Sequence, residues 1–241
     1  MRNKSFRFKQ FEVFHDKCAM KIGTDGVLLG AWARVDNCKT ILDVGAGTGL
    51  ISLMIAQRNS VTDIMAIEID EIASIQASEN IVRSPFENRV EVKHISFQDF
   101  ADTASIKFDA IVSNPPYFIN SMLPDNMSRS NARHTNSLSL TDLLSLSSGL
   151  LAKDGRLSFI YPYDEISDIE RFIVDSNWYV YRRMDVFSTP SAEVPKRVLF
   201  EVGLNMPSEG VAEYDTMVIE IDRHVYSDKY VELTKEFYLN M

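Results

Sequence analysis

The sequence is poor in cysteine and contains no long apolar run. Its two cysteines, Cys18 and Cys38, are too few for a disulfide framework and lack the spacing of zinc ligands. No stretch approaches the roughly 20 apolar residues that cross a membrane, and the basic first residues lack the apolar segment of a signal peptide. We therefore predict a cytoplasmic protein with reduced thiols, no metal site and no membrane span.

Positive charge is also in deficit. The formal net charge is −9 over 241 residues, which argues against non-specific coating of nucleic acid. A local basic patch remains compatible with this total, because acidic residues can lie elsewhere on the surface. The hydrophobic content of 45% and the charged content of 24% are ordinary for a globular protein. Length and composition predict one domain with small additions.

The most informative stretch is a glycine-rich turn between an apolar strand and an apolar helix. Residues 41–44 predict a buried strand, Gly45, Gly47 and Gly49 follow, and residues 50–57 predict a helix. Glycines allow positive φ and close approach of a ligand, and the turn aims backbone N–H groups at it. The spacing differs from Gly-x-Gly-x-x-Gly, and the absence of a following Lys excludes a P-loop. The alternative is an ordinary βα loop.

A second strand, residues 64–68, ends in a carboxylate that can accept hydrogen bonds from ribose hydroxyls. This acid, Glu68, follows the glycines at the distance expected for a nucleotide-like ligand. The Asp43-to-Gly49 motif together with Glu68 resembles the S-adenosylmethionine site of the Rossmann-like methyltransferases. The resemblance implies that cofactor, whose product form is S-adenosylhomocysteine.

Strands and helices alternate from residue 40, which predicts a doubly wound, mostly parallel sheet. The third strand, residues 90–95, is followed by Asp99 and Phe100. Asp99 can accept a hydrogen bond from an adenine amino group, and Phe100 can pack on the ring. The alternative is that Asp99 is a turn acid and Phe100 belongs to the core.

A fourth strand, residues 108–113, places Asn114-Pro-Pro-Tyr117 beside the glycine turn. The prolines remove two donors and leave carbonyl groups directed into the site. The Asn114 oxygen and the carbonyl of Pro115 can accept hydrogen bonds from both N–H groups of an amine, which turns the nitrogen lone pair toward a methyl group. Tyr117 can stack on a planar acceptor. Outside this context an Asn-Pro turn is a common loop signal.

The N-terminal residues alternate basic and aromatic side chains. Phe6, Phe8, Phe11 and Val13 predict short extended segments with a turn between them. They form either an arm that touches a polyanion or a hairpin with a solvated basic face and a buried aromatic face. Further on, Thr24 or Asp25 either caps a helix or lies near the methionine end of the cofactor.

The flanking segments indicate the family. The run Phe8–Trp32, the tail ending in Leu-Thr-Lys-Glu-Phe-Tyr238 and the two central motifs resemble the bacterial tRNA adenine-N6 methyltransferases that modify valine tRNA. The similarity covers essentially the whole chain. It implies methylation of the adenine on the 3′ side of the anticodon. It also implies that Asp43, Gly45, Gly47, Glu68 and Asp99 bind the cofactor, and that residues 114–117 hold the acceptor adenine.

The resulting prediction is a Rossmann-like α/β fold with a seven-stranded, mostly parallel sheet and an antiparallel end. Residues 1–35 form an N-terminal segment packed on a methyltransferase domain at 36–241. Predicted catalytic residues are Asn114, Pro115, Pro116 and Tyr117. Predicted cofactor-binding residues are Thr24, Asp25, Asp43, Gly45, Ala46, Gly47, Gly49, Glu68, Ile69, Asp99, Phe100 and Asn114. Candidate tRNA contacts are Arg7, Lys9, Lys21, Arg129, Arg133, Arg182, Arg183, Lys196 and Arg197. Residues 119–138 are predicted to form a substrate-contacting loop or a mobile lid.

Three alternatives stay open at this point. Glutamine methyltransferases of release factors share Asn-Pro-Pro-Tyr, but they place a helical domain before the glycine turn, and only forty residues precede Ile41 here. A DNA adenine methyltransferase usually needs a separate recognition domain. A non-catalytic RNA-binding protein on the same fold has no need of the intact acceptor motif.

Overall fold

A computed structural model describes residues 4–18, 21–116, 138–208 and 210–241. The strands are β1 Ser5–Arg7, β2 Glu12–Phe14, β3 Thr40–Val44, β4 Asp63–Glu68, β5 Val90–His94, β6 Phe108–Ser113, β7 Leu151–Pro162, β8 Tyr179–Phe187, β9 Arg197–Gly203, β10 Glu213–Val218, β11 Glu220–Asp222 and β12 Val225–Tyr226. The α-helices are α1 Thr24–Trp32, α2 Leu50–Arg58, α3 Glu71–Val82, α4 Phe97–Thr103, α5 Leu140–Leu150, α6 Ile166–Asp175 and α7 Asp228–Thr234.

The central sheet has the order β10-β8-β9-β7-β6-β3-β4-β5 among the described residues. Its neighbouring strands are parallel except around β9, which runs antiparallel to both β7 and β8. This topology confirms the predicted Rossmann-like fold with an antiparallel strand. The sheet has eight strands rather than seven, because β10 adds to the free edge of β8. In β10 only Met217 is buried, so the sequence lacks a strong apolar pattern there.

Apolar side chains alternate between the two faces of the sheet and build a core on each. In β3, Ile41 belongs to the core formed with α1 and α2, whereas Leu42 belongs to the core formed with α4, α5 and α6. The period of two in a strand buried on both faces explains this division. None of the described helices is both long enough and apolar enough to cross a membrane.

The N-terminal residues form an antiparallel hairpin of β1 and β2 whose aromatic face is buried. Phe8 is 1% exposed, and its ring centroid lies 4.8 Å from that of Phe11 and 5.9 Å from that of Tyr238. The hairpin interpretation is therefore confirmed, and the hairpin shares the core of α1 and α2. Stacked aromatic side chains from both ends of the chain hold it in place.

Helix α1 starts one residue earlier than a side-chain cap would place it. Gly23 is the N-cap in an extended conformation, and no side chain caps the helix. The prediction that Thr24 or Asp25 caps α1 is therefore wrong. The carboxylate of Asp25 instead accepts a hydrogen bond from Arg197. Within α1, a Cβ added to Gly30 would lie 2.8 Å from the Met54 sulfur, so glycine permits the close packing of α1 on α2.

Candidate active site

The carboxyl ends of β3, β4 and β6 meet at one edge of the sheet. Val44 pairs with Ile67 on one side and with Ser113 on the other, and the Ser113 hydroxyl donates to the Val44 carbonyl at 2.9 Å. Gly45 and Asn114 therefore begin their loops side by side. The strand order reverses at β3, and such switch points are where open α/β sheets bind their ligands.

The glycine loop adopts the conformation that its sequence predicts. Gly45, Gly47 and Gly49 have φ of +72°, +57° and +79°, where other L residues are strained. A Cβ added to Gly45 or Gly47 would meet no described atom within 4 Å, so open space faces the loop. The N–H groups of Gly45 and Ala46 donate to the Ile67 carbonyl, which fixes the loop on β4.

Glu68 closes the site on the β4 side. One carboxylate oxygen accepts the Gly47 N–H at 2.8 Å, and the other accepts the Asp70 N–H at 2.9 Å. The side chain therefore ties the glycine loop to the start of α3. Each oxygen keeps a lone pair for a further donor, which fits a ribose hydroxyl.

Asp43 is fully buried behind the glycine loop. Its Oδ2 accepts hydrogen bonds from the Ser52 N–H at 3.1 Å and the Ser52 hydroxyl at 2.6 Å, which completes the first turn of α2. Burial is the main cause that raises the pKa of Asp43 to about 7; the Ser52 hydrogen bonds oppose this rise and the charge of Glu68 adds to it. Oδ1 has no hydrogen-bond partner among the described residues.

These features fit S-adenosylmethionine, which carries a sulfonium and an ammonium charge. Two neighbouring carboxyl groups, Asp43 and Glu68, lie at the site, and Asp43 Oδ1 has no hydrogen-bond partner among the described residues. A nearby cation stabilises a carboxylate whose charge burial disfavours. The open space at Gly45 and Gly47 leaves room for a ligand close to the backbone.

Among three further residues predicted to bind the cofactor, one is buried and two are exposed. Asp99 is exposed, and its Oδ2 accepts from the Ser96 hydroxyl at the start of α4. The ring of Phe100 is 5% exposed and packs in the core, 6.2 Å from the ring of Phe108. Ile69, which follows Glu68, is 42% exposed. The core interpretation therefore describes Phe100, and Ile69 offers the accessible apolar surface.

The acceptor motif begins at the same edge. Asn114 is partly buried directly after β6, Pro115 is buried and Pro116 is partly exposed. Tyr117, Arg129 and Arg133 lie outside the described residues, as does most of the predicted loop at 119–138.

An ion pair joins helix α1 to the same edge of the sheet. Because β9 is antiparallel, its first residue, Arg197, pairs with Pro162 at the carboxyl end of β7. The Arg197 Nε lies 2.8 Å from Asp25 Oδ2, and both side chains are about one-fifth exposed. Asp25 therefore lies at the carboxyl edge of the sheet, whereas Thr24 is exposed beside it.

Two of the predicted tRNA contacts face inward. The guanidinium of Arg182 lies 4.0 Å from the Trp32 ring and donates to that residue's carbonyl, with Glu201 at 3.8 Å. Arg183 pairs with Asp185 at 2.7 Å and is 13% exposed. The prediction that Arg182 and Arg183 meet phosphates is not supported, because carboxylates and aromatic rings already engage both groups.

The remaining basic candidates differ in their surroundings. Arg7, Lys21 and Lys196 are exposed. The ammonium of Lys9 instead donates to the backbone carbonyls of Lys235 and Met241, which anchors the tail. Arg197 is paired with Asp25.

Sequence patterns missed two serines that shape the site. Ser52 satisfies the buried Asp43, and Ser113 ties β6 to β3. A signal for Ser52 exists in principle, because a buried acid before a helix needs a donor in the first turn. In the part of the chain that the structure describes, no group of three or more His, Cys, Asp or Glu is placed to hold a metal.

Fold and site together define a Rossmann-like methyltransferase. The family model of the methyltransferase small domain matches residues 18–160. A solved structure of a predicted O-methyltransferase from Agrobacterium tumefaciens is similar with a TM-score of 0.67 at 16% identity, covering 88% of this chain and 96% of that one. A protein assigned to the methyltransferases and complexed with SAH has a TM-score of 0.61 at 11% identity, covering 84% and 56%. These likenesses support the fold.

The sequence comparison narrows the class to one family. Over 241 residues, the chain is 45% identical to the tRNA1(Val) (adenine(37)-N6)-methyltransferase of Parabacteroides distasonis, covering 100% of both chains. The chain belongs to this methyltransferase family, which confirms the family predicted from the sequence.

Proposed function

We propose that this protein transfers a methyl group from S-adenosylmethionine to the N6 amine of adenine 37 in valine tRNA. The main structural support for this proposal is the position of Asn114 beside the glycine loop, at the edge of the sheet where β3 and β6 end. The similarity to curated relatives that bear this activity in their name supports the choice of substrate. Since that substrate is tRNA, we place the protein in the cytoplasm.

The cofactor residues divide by the part of S-adenosylmethionine that they hold. The glycine loop and Asp43 would hold the charged amino-acid end of the cofactor, and Glu68 would accept hydrogen bonds from the ribose hydroxyls. Ile69 and Asp99 offer an apolar surface and an acceptor for the adenine. Bound there, the cofactor supplies an activated methyl group on a sulfonium.

The acceptor residues orient the nitrogen that receives the methyl group. The Asn114 side-chain oxygen and the Pro115 carbonyl accept hydrogen bonds from the two N–H groups of N6. These bonds make the nitrogen more tetrahedral and direct its lone pair toward the methyl group. This interaction strengthens as positive charge develops on N6. No strong base is required, because the methylated nitrogen carries an acidic proton. Tyr117 stacks on the extruded adenine in this proposal, and anticodon-loop bases are readily unstacked.

Substitution of Asn114 tests the division between the two halves of the site. Asn114→Ala should lower kcat by at least about 100-fold, the size of effect found when one oriented polar group at a reacting centre is removed. The Kd for S-adenosylhomocysteine, measured by calorimetry, should stay near that of the wild type. Glu68→Ala is the matched control, because its main effect should be to raise the Kd for S-adenosylhomocysteine. Joint loss of binding and transfer in the Asn114 variant would count against its role at the acceptor.

A further inference from the structure

Asn80 joins two separate segments through one buried side-chain amide. It lies on α3 and is fully buried. Its Oδ1 accepts the Phe14 N–H at 2.9 Å, and its Nδ2 donates to the carbonyls of Phe14 and Thr48, each at 2.9 Å. One amide therefore connects the end of the N-terminal hairpin to the glycine loop.

A second amide, one turn earlier on α3, extends this attachment. The Gln76 Oε1 accepts the Lys17 N–H at 2.8 Å and lies 3.9 Å from the Cys18 sulfur. Lys17 also pairs with Glu79 at 2.5 Å. The chain from Phe14 to Cys18, here termed the bridging segment, therefore runs along α3.

The bridging segment lies close to the predicted cofactor site. Helix α3 touches the glycine loop at Ala77, which is 3.5 Å from a Cβ added to Gly49. Burial, together with the charges of Asp70 and Glu68, raises the pKa of the Cys18 thiol to about 11, which agrees with a position near the Glu68 carboxylate. The segment therefore lies along α3, next to the glycine loop that is predicted to bind the cofactor.

We propose that Asn80 is a positioning residue that fixes the bridging segment and the glycine loop relative to each other for cofactor binding. The inference rests on the proposed function, because it concerns the S-adenosylmethionine site. A buried amide with three hydrogen bonds restricts both segments, and removal leaves the Phe14 and Thr48 backbone groups without these partners. Binding sites depend on such supporting residues for their geometry.

The test compares Asn80→Ser with Asn59→Ser. Asn59 is also a buried amide, 3% exposed, and donates to the carbonyls of Val35 and Cys38 at 2.6 and 2.8 Å. It follows α2 and precedes β4, at the opposite edge of the sheet from the glycine loop. Both variants should unfold at lower temperature than the wild type, so loss of stability is matched between them.

Cofactor affinity and amide exchange distinguish a positioning role from a structural one. Asn80→Ser should bind S-adenosylhomocysteine about tenfold more weakly than wild type, the effect of one lost buried interaction. Hydrogen exchange at the Phe14 and Lys17 amides should accelerate in the same variant. Asn59→Ser should retain the wild-type Kd and the wild-type exchange at both amides. Equal Kd values for the two variants would overturn the inference.

A further variant keeps the inference falsifiable if Asn80→Ser does not fold. Gln76→Ala releases the bridging segment at Lys17 without touching Thr48, and we expect weaker cofactor binding together with faster Lys17 exchange. Faster exchange with an unchanged Kd would contradict the inference. Failure of the wild-type protein to bind S-adenosylhomocysteine would instead contradict the proposed function.

Discussion

Asp43 combines a structural role in the fold with a predicted role in binding. Ser52 donates two hydrogen bonds to one oxygen of its carboxyl group, and burial raises the pKa to about 7. The unfolded chain ionises this group near pH 4. Stability contributed by the protonated acid is therefore present below about pH 4 and is lost as the pH rises toward 7.

Asp43→Asn should remove this pH dependence. We expect the ligand-free variant to match the wild type at pH 4 and to exceed its free energy of unfolding at pH 8, because the amide carries no buried charge. Denaturant unfolding at the two pH values measures the difference. The same variant should bind S-adenosylhomocysteine more weakly, since the proposed partner of the ligand's ammonium group is gone. A variant less stable than wild type at pH 8 would contradict the proposed cost of ionisation.

Gly47 and Gly149 are expected to respond differently to alanine, because Gly47 has a positive φ and faces open space whereas Gly149 lies in a helix. Gly47→Ala places a methyl group at φ +57° in the open space before the loop, so we expect a stability loss of about 1–2 kcal/mol and a cofactor Kd raised by about tenfold or more. Gly149→Ala, in α5, should instead stabilise by roughly 0.5–1 kcal/mol and leave the Kd unchanged. Thermal unfolding and calorimetry give both quantities. Wild-type affinity in the Gly47 variant would argue against a ligand at that position.

At the scale of elements, a basic residue on β8 and one just before β9 lie in different surroundings. Lys196 is exposed just before β9, whereas Arg183 is mostly buried in β8 against Asp185. Counting positive charges in the sequence does not distinguish these cases, because pairing depends on which carboxylates the fold brings within reach, here Asp185 on the same strand and Glu170 on α6. Lys196 therefore stays a predicted tRNA contact, whereas the structure does not support that prediction for Arg183.

Salt dependence of tRNA binding should separate these two residues. Lys196→Ala should weaken binding and reduce the slope of log K against log salt by about 0.7–0.9, the value for one phosphate contact. Arg183→Ala should leave the slope unchanged and cost about 1–3 kcal/mol of stability by stranding Asp185. Fluorescence anisotropy with labelled tRNA over a salt series measures the slopes. An unchanged slope for the Lys196 variant would exclude it as a phosphate contact.

The elements themselves were largely predictable, and the exceptions have physical causes. The apolar residues at positions 72, 75, 81 and 82 predict helix α3, which begins after the N-cap Asp70. The sequence predicts a strand at residues 217–221, whereas β10 spans Glu213–Val218, because its exposed residues lack the alternating pattern that marks a half-buried strand. The N-cap of α1 is Gly23, which has no side chain, and the Asp25 carboxylate instead pairs with Arg197, 172 residues away. Local patterns carry no information about such distant partners.

At the scale of the whole molecule, the sheet brings distant motifs to one edge. The glycine loop, Glu68 and Asn114 were predictable as a set, because parallel strands place their carboxyl ends together. Asn80 was not, because its role depends on three backbone groups from two other segments. Sequence periodicity indicates that a residue is buried but does not identify the groups that its amide will meet.

Methyl transfer to tRNA tests the proposed function most directly. The protein is incubated with labelled S-adenosylmethionine and unmodified valine tRNA, and nucleosides are analysed after digestion; the matched control is the same tRNA with guanine in place of adenine 37. We predict N6-methyladenosine in the first tRNA and no label in the second. Label that persists in the guanine control, or that enters a release-factor glutamine rather than tRNA, would contradict the assignment.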